Sequence, residues 1–244
     1  MFQRTRMSHT QTPDAKRQTI VLATRNPKKL RELRRLLRDL DIHWLSLRDF
    51  PDAPAVREDG HTFATNARKK AVTATRATGL IAVADDSGLE VDALGGAPGV
   101  RSARYAGAQA NDAANNRKLL RALRQVPSHR RGAQFRCVIA VATPAGRVVT
   151  VEGRVRGRMA ARVRGRSGFG YDPLFLMPRY GRTFAELGPR LKDRLSHRAQ
   201  AARRARPVIQ DLLRHAVREQ ARGVGWRAPR TRTRKRRPAA RACR

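Results

Sequence analysis

A buried-strand signature that runs straight into a capped helix constrains this chain most. Thr19-Ile20-Val21-Leu22-Ala23 is a short β-branched and apolar run, read as a buried strand. Asn26-Pro27 follows, a good pairing of N-cap and first helical residue. Leucines at 30, 33, 36, 37 and 40 then recur at helical spacing, which predicts a helix over 27–40. The alternation continues. Residues 42–47 read as a strand. Residues 62–78 read as a helix with Phe63, Ala67, Ala71 and Ala74 on one face and Gly79 to end it. Residues 80–84 read as a second buried strand that ends in Asp85-Asp86-Ser87-Gly88. Further on come a short helix over 115–123 and a hairpin of 135–143 with 148–151 around Pro144-Ala145-Gly146. A glycine-studded loop spans 165–173. Ser196 caps a final helix to about residue 218, which Pro207 should kink or divide. Strands alternating with helices imply an α/β fold, and no internal repeat is visible.

With 40% apolar residues in 244, the chain buries a real core, and wholesale disorder is excluded. No apolar run approaches the roughly 20 residues that span a bilayer. The opening MFQRTRMSHTQTPDAKR lacks the apolar stretch of a secretory signal. Cys137 and Cys243 make neither a disulfide framework nor a metal-type spacing. The expectation is a cytoplasmic protein with no membrane contact. Charge is the anomaly: 54 Lys and Arg against 19 acids give +35. Such charge predicts affinity for polyanions, either nucleic acid or phosphorylated small molecules, and does not choose between them. Coding bias toward arginine produces the same composition. Residues 1–17 read as a flexible polar arm, 18–220 as a single α/β domain, and 221–244 as a disordered basic tail without apolar periodicity. The tail either contacts nucleic acid non-specifically or is a solvated extension.

Four constellations carry candidate chemistry. Thr24-Arg25-Asn26-Pro27-Lys28-Lys29 joins strand to helix, so backbone N–H groups, the helix dipole and Lys29 suit a phosphate. It lacks the glycines of a Walker loop, and many such turns bind nothing. Asp85-Asp86-Ser87-Gly88 offers two carboxylates that either hold Mg²⁺ and take a proton from water or cap backbone N–H groups in a turn. Gly168-Phe169-Gly170-Tyr171-Asp172-Pro173 presents aromatics that either stack on a base or belong to the core beside a glycine hinge. Lys192 with Ser196-His197-Arg198 supplies donors for a base carbonyl or a phosphate, or is a solvated helix end.

Together these stretches resemble the noncanonical purine nucleoside triphosphate pyrophosphatases, the inosine/xanthosine triphosphate (dITP/XTP) pyrophosphatase family. The resemblance runs from about Thr19 to about Leu213. It is carried by IVLATRNPKKLRELRRLL, TFATNARKKA, ADDSGLEVDALGGAPGVRSARYAG, FRCVIAV, GFGYDPLF and TFAELGPRLKDRLSHRAQA, in that order. It implies a two-lobed α/β fold around a long mixed sheet, with the active site in the cleft between lobes. It also implies a homodimer, a Mg²⁺ requirement, and hydrolysis of ITP, dITP and XTP to monophosphate and pyrophosphate. Such enzymes clear deaminated purines from the nucleotide pool.

By the resemblance, Thr24, Arg25, Asn26, Pro27, Lys28 and Lys29 hold the triphosphate. Asp86 is the general base and a Mg²⁺ ligand beside Asp85, and Ser87 contacts substrate. Phe169, Gly170, Tyr171 and Asp172 form the base pocket, and Lys192, His197 and Arg198 complete recognition. Three departures accompany it. Thr65 stands where a metal-binding glutamate is usual, which implies a weakened metal site. Arg101 replaces an aromatic at the cleft or dimer surface. Pro189-Arg190-Leu191 replaces acids before Lys192. The alternatives are a weakened homologue that binds nucleotide without turnover, and a nucleic-acid-binding protein that uses the basic tail.

Overall fold

The computed structural model describes residues 18–221. The expected arm at 1–17, and all of the expected tail beyond Ala221, lie outside them. The first strand is β1 (Gln18–Leu22). Asn26 then accepts the N–H groups of Lys28 and Lys29, with Pro27 in the first turn of α1 (Pro27–Leu36). This helix is shorter than the leucine spacing predicts. The chain turns through 37–41 because it must come back to lay β2 (Ile42–Ser46) parallel to β1. Leu37 and Leu40 still enter the core.

Helix α2 (Phe63–Thr78) follows its sequence pattern, capped by Thr62 and closed by Gly79 at φ 65°. The strand after it does not. Strand β3 (Ile81–Val91) runs straight through Asp85–Gly88. Each of those residues pairs with β4 (Gly132–Ala142): Asp85 with Ile139, Asp86 with Val138, Ser87 with Cys137 and Gly88 with Arg136. The acids therefore lie in mid-strand, and the reading as a turn is excluded. Strand β1 pairs with β3 only as far as Val83. Beyond it, the edge of β3 opens toward the loop after β1, a crevice at the carboxyl end of parallel strands.

Helix α3 (Asp112–Ala122) starts from an Asn111 cap, three residues before the expected start. The hairpin is longer than predicted on both arms, with β5 (Val148–Met159) antiparallel to β4 throughout. Two short strands, β6 (Phe175–Met177) and β7 (Arg182–Thr183), and helix α4 (Phe184–Leu195) are not foreseen from sequence. Helix α5 (His197–Ala221) runs through Pro207 undivided. Ala205, Ile209 and Leu212 are packed into the core on both sides of that proline. The result is one seven-stranded mixed sheet in the order β2-β1-β3-β4-β5-β6-β7.

The packing explains where a cleft can form. One face of the inner strands buries Ile20, Leu22, Val83 and Ile139 against α1 and α5. The other buries Val21, Ala82, Ala84 and Val138 against Phe63, Ala67, Ala71 and Ala74 of α2. A third core gathers Leu89, Val91, Phe135, Val155, Phe175 and Phe184 farther along the same strands. Strand β3 leaves the first two cores at Ala84 and enters the third at Leu89. The four residues between them are the polar ones.

Candidate active site

The last three of those four residues, Asp86, Ser87 and Gly88, border a cavity of about 490 Å³. The loop after β1 contributes Thr24, Arg25, Asn26 and Lys29, and β3 contributes Asp86, Ser87 and Gly88. The segment before β6 brings Phe169, Gly170, Tyr171 and Asp172 to the other end, with Lys192 from α4 and His197 and Arg198 from the start of α5. Thirteen residues expected to bind substrate or act on it therefore meet on one cavity.

Four expected residues do not line it. Pro27 opens α1. Lys28 pairs with the lining residue Asp112 at 3.2 Å, its ammonium 5.9 Å from the Phe169 ring centroid, without lining the cavity itself. Asp85 is buried behind the wall, 3.2 Å from Lys29 and 3.2 Å from Arg198. Burial raises its pKa, but Lys29, Arg198 and Lys70 outweigh burial and hold it well below the ordinary carboxylate range. Asp85 is thus an internal counter-ion for two cations and not an open ligand. Thr65 is exposed at the start of α2, bonded to Thr62 at 3.0 Å. It does not line the cavity, so the carboxylate absent at this position is not absent from the cavity wall. Arg101 and Arg190 are also exposed and do not line the cavity.

The carboxylate that faces Asp86 comes from a residue the motif analysis missed. Glu58 lies on the cavity wall with Lys70. The Lys70 ammonium is 2.8 Å from Glu58 Oε1 and 3.1 Å from Asp86 Oδ1. Burial lowers the pKa of Lys70, but Asp86, Asp85 and Glu58 reverse this and keep it charged. Burial raises the Asp86 pKa more than Lys70 and Lys29 lower it. Two adjacent acids are thus pushed in opposite directions, the pattern that separates a base from a permanent anion. A signal was present in the sequence: Asn66 and Lys70 share the spacing of Phe63, Ala67, Ala71 and Ala74, so polar groups stand on the buried face of α2.

Glu32 was missed for a similar reason. It is the one acid of α1 and is 4% exposed. Its carboxylate reaches Arg198 at 2.7 Å and Lys192 at 3.7 Å. Arg198 also donates to Ser87 Oγ at 2.7 Å, and Lys192 donates to Asp172 at 2.6 Å. Burial outweighs Lys192 and raises the Asp172 pKa. Burial, then Arg198 and Lys192, depress the His197 pKa, so its imidazole is neutral. That ring stacks on Phe135 at 4.6 Å between centroids. The Phe169 ring has Lys192 at 4.6 Å and Arg198 at 5.5 Å from its centroid. Tyr171 instead bonds Ser102 O at 2.9 Å and joins the third core.

One end of the cavity therefore presents an aromatic ring with donors, and the other presents carboxylates with lysines. The second end fits Mg²⁺: Asp86 and Glu58 supply hard oxygens that already share one cation. Among the described residues no group of three or more His, Cys, Asp or Glu could hold a metal alone. A bound ion would need phosphate oxygens to complete its shell.

Comparison with known proteins gives one direction. The model of the Ham1 family matches residues 20–208. A dITP/XTP pyrophosphatase of Desulforamulus reducens is 51% identical over 196 residues, covering 80% of this chain and 98% of its own. One of Geobacter sulfurreducens is 53% identical over 182 residues, covering 75% and 92%. Among solved structures, a HAM1 protein from Coxiella burnetii superposes with TM-score 0.73 at 44% identity, covering 80% of this chain and 99% of its own.

Proposed function

The chain belongs to the Ham1 family, and we propose that it hydrolyses the noncanonical purine triphosphates ITP, dITP and XTP to the monophosphate and pyrophosphate. The observation that carries this reading is the cavity itself. One wall has Phe169, Lys192, His197 and Arg198, and the other has Asp86, Glu58, Lys70 and Lys29. The relatives at about half identity are named dITP/XTP pyrophosphatases.

Mg²⁺ bound by Asp86 and Glu58 would neutralise charge on the triphosphate. Lys29 and Lys70 add positive charge from the protein side. Asp86 takes a proton from water as its oxygen attacks the α-phosphorus. The bond from that phosphorus to the β-phosphate bridging oxygen breaks, and pyrophosphate leaves. The raised pKa of Asp86 suits a proton acceptor, and the buried Asp85 keeps Lys29 in place. At the other end Phe169 stacks on the base. Lys192, Arg198 and neutral His197 offer donors to the carbonyl that hypoxanthine and xanthine carry. Adenine has an amino group there and leaves those donors unpaired, a mismatch that costs roughly 10⁴–10⁵ in rate in favourable sites.

In this reading the enzyme clears deaminated purines from the cytoplasmic pool as a homodimer, with 18–220 as its catalytic domain. No helix among the described residues is long and apolar enough to cross a membrane. Pyrophosphate release in Mg²⁺ from ITP, XTP, dITP, GTP and ATP, compared side by side, tests the reading. Fast release from the first three is expected. Preference for ATP would overturn it.

A further inference from the structure

The buried face of α2 carries a residue that the proposed chemistry does not use. Asn66 is 0% exposed, and every polar atom of its carboxamide is engaged. Oδ1 accepts the Gly60 N–H at 2.8 Å. Nδ2 donates to Gly60 O at 3.4 Å and to Asp86 Oδ2 at 3.2 Å. The Gly60 N–H fixes which end of the amide is oxygen, and so turns the NH₂ toward Asp86. Asp86 is held from two sides, because Lys70 occupies its other oxygen at 3.1 Å.

The segment before α2 is held by the same side chain. Gly60 follows Glu58 by two residues. A Cβ on Gly60 would stand 2.6 Å from Asn66 Oδ1 and 3.0 Å from Thr65 Cγ2. Glycine is therefore needed for the approach, and the approach brings Glu58 over Lys70 at 2.8 Å. Arg104 holds the segment from outside through Glu58 O at 2.6 Å. Lys70 bridges the two carboxylates through its charge, whereas Asn66 ties the backbone of the Glu58 segment, at Gly60, to the Asp86 carboxylate.

We propose that Asn66 is a positioning residue: with Gly60, it sets the spacing and orientation at which Asp86 and Glu58 face each other across Lys70. The inference rests on the reading of these two carboxylates as the reacting and metal-holding pair. Removal of partners that orient metal ligands typically lowers metal affinity or activity 10–100-fold.

Two substitutions separate geometry from charge. Asn66→Asp keeps the volume and the acceptor for Gly60 but removes the donor to Asp86. Gly60→Ala changes no charge and pushes the segment away from Asn66. Both should lower kcat for ITP hydrolysis 10–100-fold while KM for ITP stays within about threefold. Both should also weaken Mn²⁺ binding, read by electron paramagnetic resonance with the α,β-methylene analogue of ITP, by about 10-fold. Unchanged kcat and Mn²⁺ affinity in both folded variants would overturn the proposal. So would a loss confined to Asn66→Asp, because charge would then explain it. If the wild-type protein released no pyrophosphate from ITP, the reaction reading would fall, and Mn²⁺ binding would still decide the role of Asn66.

Discussion

Thr65 occupies the third position of α2, where Thr62 Oγ1 accepts its N–H at 3.0 Å. A glutamate there would complete a capping box with the N-cap. Thr65→Glu is therefore expected to raise stability by about 0.3–1 kcal/mol at the helix N-terminus. Activity and Mg²⁺ dependence should not change. A gain in metal affinity would contradict the assignment of the carboxylate to Glu58. His197 makes a second prediction at this scale. Its pKa is depressed by burial first, then by Arg198 and Lys192. The unfolded chain therefore binds the proton more readily, and stability falls as pH drops below the ordinary value of 6.5. Denaturant unfolding at pH 7.5 and pH 5 should show a smaller difference in His197→Phe than in the wild type. An equal difference would exclude a buried neutral histidine. Residues of this kind divide by legibility. Asp86 and Phe169 stand in short motifs whose chemistry is local. Glu32 acts through Arg198, 166 residues on, and Glu58 stands in no motif, so no local pattern announces either, whereas Lys70 is signalled only by its place on the apolar face of α2.

At the scale of elements, the site depends on how closely α5 approaches the sheet. Gly153 of β5 faces the first turns of α5. A Cβ there would collide with His197 O and Ala201 N and lie 2.9 Å from Gln200 Cβ. The missing side chain lets His197 and Arg198 reach the cavity. Gly153→Ala is expected to cost about 1–3 kcal/mol, as overpacking does, and to raise KM for ITP more than it lowers kcat. Thermal unfolding with steady-state kinetics checks both. Unchanged stability and KM would mean that α5 does not need this contact. The same glycine explains why the expected strand stops at 151 and misses two thirds of β5. Residues 152–158 alternate, but glycine fills buried positions 153 and 157, so the expected apolar beat is absent. Strand β3 was cut short for a related reason: its polar centre, Asp85–Gly88, resembles a strand end. Helix α4 was overlooked because Gly188, at φ 73°, and Pro189 break its pattern. Helix α2 is legible because cap, period and terminator all agree, whereas α1 has cap and period but no terminator, and the leucine spacing overruns its end.

At the scale of the whole molecule, the net charge of +35 opposes compaction through self-repulsion. Much of the buried charge is instead paired around the cleft, as in Lys29–Asp85, Lys70–Glu58 and Arg198–Glu32. Salt screens the exposed excess and acts much less on such buried pairs. Raising NaCl from about 0.05 to about 0.5 M shortens the Debye length to roughly 4 Å and should therefore raise Tm. A fall would show that ion pairs, and not repulsion, dominate the electrostatics of the fold. In the proposed chemistry Asp86 acts on the substrate, while Asp85 only neutralises Lys29 and Arg198 behind it. Pyrophosphate release from ITP by wild type and Asp86→Asn, each shown to be folded by its Tm, tests it most directly. Mg²⁺-dependent release by the wild type and its loss in the variant are the expected result. Full Mg²⁺-dependent release by Asp86→Asn would contradict the assigned mechanism.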